Sequence, residues 1–312
     1  MIINFLKKVL TGFCFIAALA SMAAAQGTGM MGGSGMGPGT SMPTMHGYQG
    51  HELHENMVVP QFAVGGQYTT SLLLFNIGNM TQMPWMTQQA LQLSGNIYFY
   101  GQDGTPLQVS INGSSLVSEY AFSLSASDSI ALDMTAPGNV TAGWALITVN
   151  DDGTHSWGMM NGQQMMRANR IMATAYYTYK ENGQVVSRAG VIPSIYEMQH
   201  YFTSLTPVQV QDGIDTGLAI VNTSAQPVTV LLTLKDSNGD TVAARQLTLP
   251  AGNQMAHFID EAQLFGSVVT GSFRGFVQMD TSSEGVVGLG LLMTGGVMTS
   301  IPTQHHGPVT MY

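Results

Sequence analysis

The sequence predicts an all-β protein that contains two tandem antiparallel β-sandwiches. Short runs of Val, Leu, Ile, Tyr and Thr, such as those at 71–76 and 229–234, alternate with clusters of Gly, Asn, Asp and Pro. Dipeptides that favour tight turns, such as Asn238 followed by Gly239, lie between these runs. Amphipathic helical patterns are scarce, and only residues 257–265 are compatible with one or two helical turns. This combination is typical of β-sandwiches.

The composition excludes several functional classes. Only 9% of the 312 residues are charged, whereas about 25% is typical of soluble domains. The 9 basic and 18 acidic side chains give a net charge of −9. Such a chain has no basic face for a phosphate backbone, so we expect no nucleic-acid partner. A hydrophobic content of 45% argues against disorder of the whole chain.

The N-terminus predicts a secreted or cell-envelope protein. Residues 1–25 have the pattern of a signal peptide: Lys7 and Lys8 precede a short apolar run, and Ala23 and Ala25 form a cleavage motif. No later apolar run reaches about 18 residues, so we expect no membrane span once the signal is removed. The single cysteine lies inside the signal, so the mature chain is expected to contain no disulfide.

Changes in composition and an internal repeat divide the rest of the chain into segments. We predict a signal peptide at 1–25, a disordered Gly/Met/His-rich tail at 26–57, a first sandwich at 58–196, a second sandwich at 197–303 and a C-terminal tail at 304–312. Both sandwiches are expected to be immunoglobulin-like.

Five sequence blocks recur in the same order in the two predicted sandwiches. The blocks at 69–76, 99–107, 122–133, 140–149 and 171–194 match those at 215–222, 234–242, 247–258, 269–278 and 286–303. The offset falls from 146 at Asn76 and Asn222 to 109 at Pro193 and Pro302, so the first repeat carries three insertions. Two of them are rich in Met and are predicted to be loops. The first Met-rich insertion contains residues 79–89 and the second contains residues 155–170.

The second repeat carries the motifs TGLAIVN at 216–222 and LTLPAGNQMAHFIDE at 247–261. These motifs resemble tandem repeats of secreted bacterial proteins of unknown function. The resemblance covers most of 197–303 and, more weakly, 58–194. It implies tandem β-sandwiches at the cell surface or outside the cell, and it implies no catalytic residues.

Methionine and histidine residues form a candidate metal site. Thioethers favour Cu(I), whereas imidazoles suit Cu(II), Ni(II) and Zn(II). The candidate ligands are Met80, Met83 and Met86 in the first Met-rich insertion, His155, Met159, Met160, Met165 and Met166 in the second, and His46, His51 and His54 in the N-terminal tail. In composition and spacing these segments resemble the Met- and His-rich segments of bacterial envelope copper-handling proteins. Copper is therefore the candidate cofactor.

The same methionines have a second interpretation. Met is a flexible, apolar side chain that packs over surfaces and contacts partners. Trp85 and Trp157 lie in the two Met-rich insertions and are predicted to be exposed contact residues, whereas Trp144 is predicted to be in the core. The leading hypothesis is a non-enzymatic secreted or envelope protein that acts by surface contact with an unidentified protein or surface. Copper binding outside the cytoplasm is the alternative.

Catalytic motifs are absent from the sequence. The chain contains no G-x-S-x-G, no H-E-x-x-H and no phosphate-binding loop. Asp212 and Asp215, with Asp240, suggest Ca²⁺ but lack EF-hand spacing. We therefore do not expect an enzyme, and a hydrolase would require a deep pocket with two facing carboxylates.

Overall fold

The computed structural model describes residues 56–77, 92–150, 159–160, 163–164, 171–195, 202–283, 285–295, 297–301 and 304–306. These residues form 22 β-strands and no α-helix. The described ranges accordingly contain no helical segment that could traverse a lipid bilayer. The predicted all-β class is confirmed.

The first thirteen strands belong to the first sandwich and its insertions. They are β1 (Met57–Val64), β2 (Tyr68–Asn76), β3 (Leu93–Gly101), β4 (Val109–Ile111), β5 (Leu116–Val117), β6 (Glu119–Leu124), β7 (Ser129–Thr135), β8 (Thr141–Val149), β9 (Met159–Met160), β10 (Gln163–Gln164), β11 (Ile171–Glu181), β12 (Gln184–Val191) and β13 (Ser194–Ile195).

The remaining nine strands form the second sandwich. They are β14 (Phe202–Val210), β15 (Ile214–Asn222), β16 (Val228–Asp236), β17 (Thr241–Leu249), β18 (Gln254–Phe258), β19 (Phe273–Thr281), β20 (Val286–Thr294), β21 (Val297–Ile301) and β22 (Gln304–His306).

Four antiparallel sheets make up the two sandwiches. Sheet A has the strand order β13-β1-β8-β3-β6, and sheet B has the order β12-β11-β2-β7-β4-β5. Their inner faces share one apolar core, in which Phe62 and Phe99 meet edge to face at 6.0 Å. Sheet C (β18-β15-β20-β21) and sheet D (β17-β16-β19-β14-β22) enclose a second core. Among the described strands, β9 and β10 pair only with each other.

The two sandwiches have the same topology. Sheet D reads β17-β16-β19-β14-β22 where sheet A reads β6-β3-β8-β1-β13, and sheet C reads β18-β15-β20-β21 where sheet B reads β7-β2-β11-β12. Each strand of the second sandwich therefore has an equivalent in the first. The additional strands β4 and β5 extend the edge of sheet B and arise from the insertion between the second and third repeated blocks.

The structure shifts one of the repeated blocks. Trp144 pairs with Tyr100, and Phe276 pairs with Lys235 at the equivalent place, so Trp144 corresponds to Phe276. The block that begins at residue 140 therefore aligns with 272, three residues later than the sequence match placed it. The physical reason is a glycine in each copy, Gly143 and Gly275, because a Cβ there would collide with a carbonyl oxygen of the neighbouring strand.

The two sandwiches meet where the outer face of sheet A packs on sheet C, and β12 at the edge of sheet B also contacts β21 of sheet C, where the Met298 amide donates to the Ser187 hydroxyl at 3.0 Å. On the outer face of sheet A, Tyr100 and Trp144 pack with Val221 and Val287 of sheet C. The indole Nε1 of Trp144 donates a hydrogen bond of 2.9 Å to the carbonyl oxygen of Gly252. Because both faces of sheets A and C are covered, β1 is buried at every position and β15 at all but its first.

Two predicted boundaries differ from the structure. Met57, placed in the N-terminal tail, begins β1 and pairs with Ile147 and Ile195. Residues 304–306, placed in the C-terminal tail, form β22, in which His306 pairs with Thr203. Met57 is buried in the first core, and only the low-complexity segment before it made it look like part of the tail. Strand β22 completes sheet D by backbone hydrogen bonds, which require no hydrophobic pattern and so leave little trace in the sequence.

The only region with a helix-like pattern folds into turns. Strand β18 ends at Phe258, and the chain then makes successive hydrogen-bonded turns. The amide of Phe265 donates to the carbonyl oxygen of Ile259, and the amide of Gly266 donates to that of Glu261. This segment carries Ile259 and Phe265 into the second core.

Candidate functional site

Most of the predicted site residues lie outside the described residues. These are His46, His51, His54, Met80, Met83, Trp85, Met86, His155, Trp157, Met165 and Met166. The predicted signal peptide also lies outside the described residues. Met159 and Met160 form β9, which pairs with β10 as an antiparallel hairpin. Part of the second Met-rich insertion is therefore a hairpin, where the sequence predicted a loop.

The described strands show where both Met-rich insertions join the first sandwich. The first insertion connects β2 to β3, and the second connects β8 to β11. Asn76, the last residue of β2, pairs with Ile171, the first residue of β11. Val149, the last residue of β8, pairs with Gly95 near the start of β3. All four strand ends therefore lie at one end of the first sandwich.

The N-terminal segment joins the same end. Met57 begins β1 and pairs with Ile147, two residues before the end of β8. The strand ends at Met57, Asn76, Gly95, Val149 and Ile171 define what we call the Met-rich end. Three Met-bearing parts of the chain, distant in sequence, attach to the fold there.

The equivalent end of the second sandwich has short connections. Asn222, the equivalent of Asn76, is fully buried. Its side-chain amide donates to the carbonyl oxygens of Gln226, Leu249 and Pro250 at 2.8, 3.1 and 2.9 Å. The equivalent Asn76 makes the same kind of contact, because its side-chain amide donates to the backbone carbonyl oxygen of Leu124 at 3.1 Å. Each sandwich therefore has a buried asparagine at this end that hydrogen-bonds to the backbone of a neighbouring segment. Only the first sandwich carries long insertions there.

An apolar patch lies beside the Met-rich end on the outer face of sheet B. We define it as Leu73, Phe75 and Met172 on the strands, together with Ile192, which directly follows the end of β12. Phe75 pairs with Met172 on the last rung of the ladder before Asn76. Leu73 is 37% exposed, Met172 57% and Ile192 73%. Exposed apolar side chains grouped at one end of a sheet are characteristic of contact surfaces.

The equivalent positions in sheet C are covered. Phe75 and Met172 correspond to Val221 and Val287, because Asn76 pairs with Ile171 as Asn222 pairs with Val286. Val221 is fully buried and Val287 is 6% exposed, and both pack against the outer face of sheet A. The apolar patch therefore occupies the place that sheet C uses for sheet-on-sheet packing.

The patch grades into a polar surface further along sheet B. The hydroxyl of Ser71 donates to Asp133 at 2.5 Å. Beyond it, the guanidinium of Arg188 lies 5.5 Å from the centre of the Tyr176 ring. An aromatic ring, one acid and one base thus border the apolar side chains.

A cleft of about 310 Å³ in the second sandwich is the main candidate for catalytic chemistry. Asp212, Asp215 and Asp260 line it, whereas Asp240 lies in the turn between β16 and β17. Asp215 is 2% exposed. The residues lining the cleft include no histidine, lysine or arginine. Across the described part of the chain, no three His, Cys, Asp or Glu side chains are grouped to hold a metal ion.

Trp144 lies in the contact between the sandwiches, as a core residue should. Its ring stacks on that of Tyr100 with 4.4 Å between the ring centres. Burial raises the pKa of Tyr100 to about 12, with smaller contributions from Tyr98 and Glu119. His257 has a local structural contact, because its Nδ1 lies 2.7 Å from a carboxylate oxygen of Glu261, four residues later.

Sequence reasoning missed the apolar patch, although a signal was present. The run from 71 to 76 contains Leu at three consecutive positions followed by Phe, so both faces of the strand carry apolar side chains. A strand with one solvated face normally alternates apolar and polar residues. This departure from alternation marks an outer face that is not simply solvated.

Comparison with protein-family models finds no match, and comparison with curated proteins also finds none. Among solved structures, the chain is similar at 7% identity to vicilin from Capsicum annuum, with 83% of this chain and 80% of that chain covered and a TM-score of 0.22. It is similar at 7% identity to procruciferin, an 11S globulin from Brassica napus, with 79% and 77% covered and a TM-score of 0.20. Likeness at these scores carries no argument about fold or function.

Proposed function

We propose that the protein is a non-enzymatic, secreted or cell-envelope β-sandwich protein that acts by surface contact through the outer face of sheet B. The observation that carries this proposal is the apolar patch. It exposes side chains at positions that sheet C, its equivalent in the same chain, buries against another sheet. The Met-rich segments attach to the fold beside the patch, and Met is a flexible apolar residue suited to contact surfaces.

The opposite outer face of the stack supports this assignment. Sheet D is the equivalent of sheet A, yet it carries Lys235 where sheet A has Tyr100 and Gln278 where sheet A has Leu146. Polar substitutions of this kind solubilise the terminal face of a stacked array. Sheet B retains apolar side chains on its outer face, because Leu73 and Met172 are apolar and exposed. A retained apolar face on the outside of the stack favours a contact role.

A binding assay with a matched control tests the proposal. The full chain is incubated with washed cells of the organism that produces it, and the bound fraction is measured. The double variant Met172→Thr with Ile192→Thr should bind several-fold more weakly than the unchanged chain. Leu231→Thr changes a side chain that is 41% exposed on the outer face of sheet D and should leave binding unchanged. Equal binding by all three proteins would refute a contact role for the patch.

Copper binding is a second candidate function, favoured by the attachment of three Met-bearing segments at the Met-rich end. Thioethers from separate parts of the sequence can meet there, and a group of thioethers is a soft ligand set for Cu(I). Under this alternative, Met80, Met83 and Met86 act with the residues of the second Met-rich insertion.

An anaerobic titration separates the two candidates. Residues 26–312, which lack the Cys14 thiol, compete with a chromophoric chelator for Cu(I). Changing Met80, Met83, Met86, Met160 and Met165 to Leu should abolish competition, because Leu preserves volume and removes the thioether. Changing the buried core residues Met134 and Met279 to Leu should have no effect. Absence of competition, or equal competition by every variant, would leave surface contact as the only candidate.

A further inference from the structure

Three buried polar side chains lie near the contact of the two sandwiches, and each has an oxygen with no hydrogen-bond partner among the described residues. The oxygens are the Oε1 atoms of Gln61 and Gln254 and the hydroxyl of Tyr68. The three side chains are 6%, 7% and 4% exposed. A buried polar atom without a partner costs free energy, so native proteins nearly always satisfy such atoms with protein groups or with ordered water.

A small cavity adjoins two of these side chains, those of Gln61 and Tyr68. Gln61 and Tyr68 line it together with Gln102 and Tyr177 of the first sandwich, and Met298 closes it from the second sandwich. Its volume of about 20 Å³ exceeds the minimum that one water molecule needs, and it is too small for a larger solute.

The backbone builds this cavity through a β-bulge in β1. The register between β1 and β8 shifts between Val59 and Phe62, at the position of Pro60 and Gln61. A bulge redirects a side chain and frees backbone groups, and proline brings no N–H that would need a partner. The freed carbonyl oxygen of Pro60 accepts a hydrogen bond of 2.5 Å from the side-chain amide of Gln254.

Gln254 links the bulge to the second sandwich. Its backbone amide donates to the carbonyl oxygen of Gln102 at 2.8 Å. Its side-chain amide nitrogen donates to Pro60 and, at 3.3 Å, to Gly143. Both hydrogens of that side-chain nitrogen are therefore used, whereas its oxygen still requires a donor.

We propose that this cavity is a binding site for one water molecule, which accepts a hydrogen bond from the Tyr68 hydroxyl and donates to the Oε1 atom of Gln61. Two protein partners lie within the range of about two to four hydrogen bonds that a buried water makes. Both partners belong to the first sandwich, and Met298 of the second sandwich closes the cavity beside them. This inference is independent of the proposed function.

The chemistry of the cavity selects a neutral ligand. Its lining contains no carboxylate and no cationic side chain, so an ion there would be stripped of water without a countercharge. Burial, and secondarily the proximity of Tyr179, raises the pKa of Tyr68 well above its ordinary value. The phenol therefore keeps its proton at neutral pH and remains available as a donor.

Oxygen-17 relaxation dispersion of the water signal counts water molecules that stay bound to the full chain for long periods. Tyr68→Phe removes the hydroxyl and keeps the ring, so it should lower this count by one. Tyr176→Phe removes a hydroxyl from the outer face of sheet B and should leave the count unchanged. Gln61→Met, which replaces the amide with an apolar chain of similar length, should lower the count by one and serves if Tyr68→Phe does not fold.

Three results would overturn the water site. The first is an unchanged count in both cavity variants. The second is an equal loss in Tyr176→Phe. The third is a signal in the unchanged chain that depends on the sodium or potassium concentration, which would identify the occupant as a cation.

Discussion

Trp144 and Phe276 occupy equivalent positions in two sandwiches of the same topology, yet their surroundings differ. Trp144 is 2% exposed beneath sheet C, whereas Phe276 is only half-buried on the open face of sheet D. Met172 and Val287 show the reverse, because the first is 57% exposed on sheet B and the second is 6% exposed on sheet C. The burial of a position is therefore decided by where its sheet lies in the stack.

This difference has a consequence for the energetics of the fold. A covered outer face adds apolar burial at about 25 cal/mol per Å² to the core that each sandwich already has. The chain obtains that contribution at the contact of sheets A and C, and it leaves the equivalent faces of sheets D and B open. Sheet D carries polar substitutions on its open face, and sheet B carries the apolar patch.

The largest expected effect separates the covered tryptophan from its open equivalent. Trp144→Ala removes a fully packed indole and its hydrogen bond to Gly252, and should lower the free energy of unfolding by about 3–5 kcal/mol. Phe276→Ala should cost about 1 kcal/mol, since the ring is half-exposed. Urea unfolding of both variants measures this. Losses of equal size would show that the contact of sheets A and C is not stably formed.

Two equivalent turn glycines allow the effect of one backbone contact between the sandwiches to be measured, because only one of them lies against the other sandwich. Gly104 and Gly239 are equivalent, with φ of +76° and +90°. Gly239→Ala has open space around its Cβ and should cost about 1–2 kcal/mol for the left-handed backbone alone. Gly104→Ala should cost about 1–3 kcal/mol more, because its Cβ would lie 2.8 Å from the carbonyl oxygen of Gly252.

Thermal unfolding of both alanine variants provides the measurement, with their difference as the quantity of interest. If Gly104→Ala is at least as stable as Gly239→Ala, the backbone of Gly252 does not lie close to this turn in solution, and the contact is contradicted.

Alkaline pH should weaken the region between the sandwiches. Burial raises the pKa of Tyr100 from about 10 to about 12, so the folded protein holds this proton more tightly than the unfolded chain. The resulting stability is complete below pH 10 and is lost as the pH rises through 12. We expect a loss of about 1–2 kcal/mol from this group. Tyr100→Phe should flatten the decline, and a midpoint of urea unfolding that stays constant from pH 9 to 12 would contradict it.

The smallest effect is expected at the apolar patch. Met172→Thr should change the free energy of unfolding by no more than about 0.5 kcal/mol, because the side chain is mostly in solvent. Val287→Thr, at the equivalent position, should cost about 1–2 kcal/mol because it buries a hydroxyl against sheet A. Chemical denaturation distinguishes the two. A substantial loss in Met172→Thr would mean that the patch stabilises the chain itself and is not free for a partner.

The sequence predicted much of the fold and little of its surface. Repeated blocks placed β2 with β15 and β11 with β20 correctly, because each pair of blocks shares a local motif, such as the asparagine that ends both β2 and β15. The sequence match displaced the block around Trp144 by three residues, because it aligned the Val-Thr pair at 140–141 with the Val-Thr pair at 269–270. Strand pairing shows that these two pairs are not at equivalent positions. Strand β22 was missed because the backbone pairing that joins it to β14 leaves no hydrophobic pattern in the sequence.

For the candidate site, the sequence identified the Met-bearing segments but not their common attachment. Asn76 and Ile171 are distant in sequence, and only the ladder between β2 and β11 shows that they are neighbours. The acidic cleft was likewise indicated only in part, because Asp260 joins Asp212 and Asp215 through the packing of the turns after β18.

Local periodicity, turn residues and the internal repeat by themselves determined the all-β class and the pair of sandwiches. These features depend on residues a few positions apart, or on the likeness of one segment to another. The tertiary structure alone decided that sheet A faces sheet C, that Trp144 meets Gly252 across 108 positions, and that the patch on sheet B stays open. Those outcomes depend on contacts between faces whose separate sequences do not say which of them will meet.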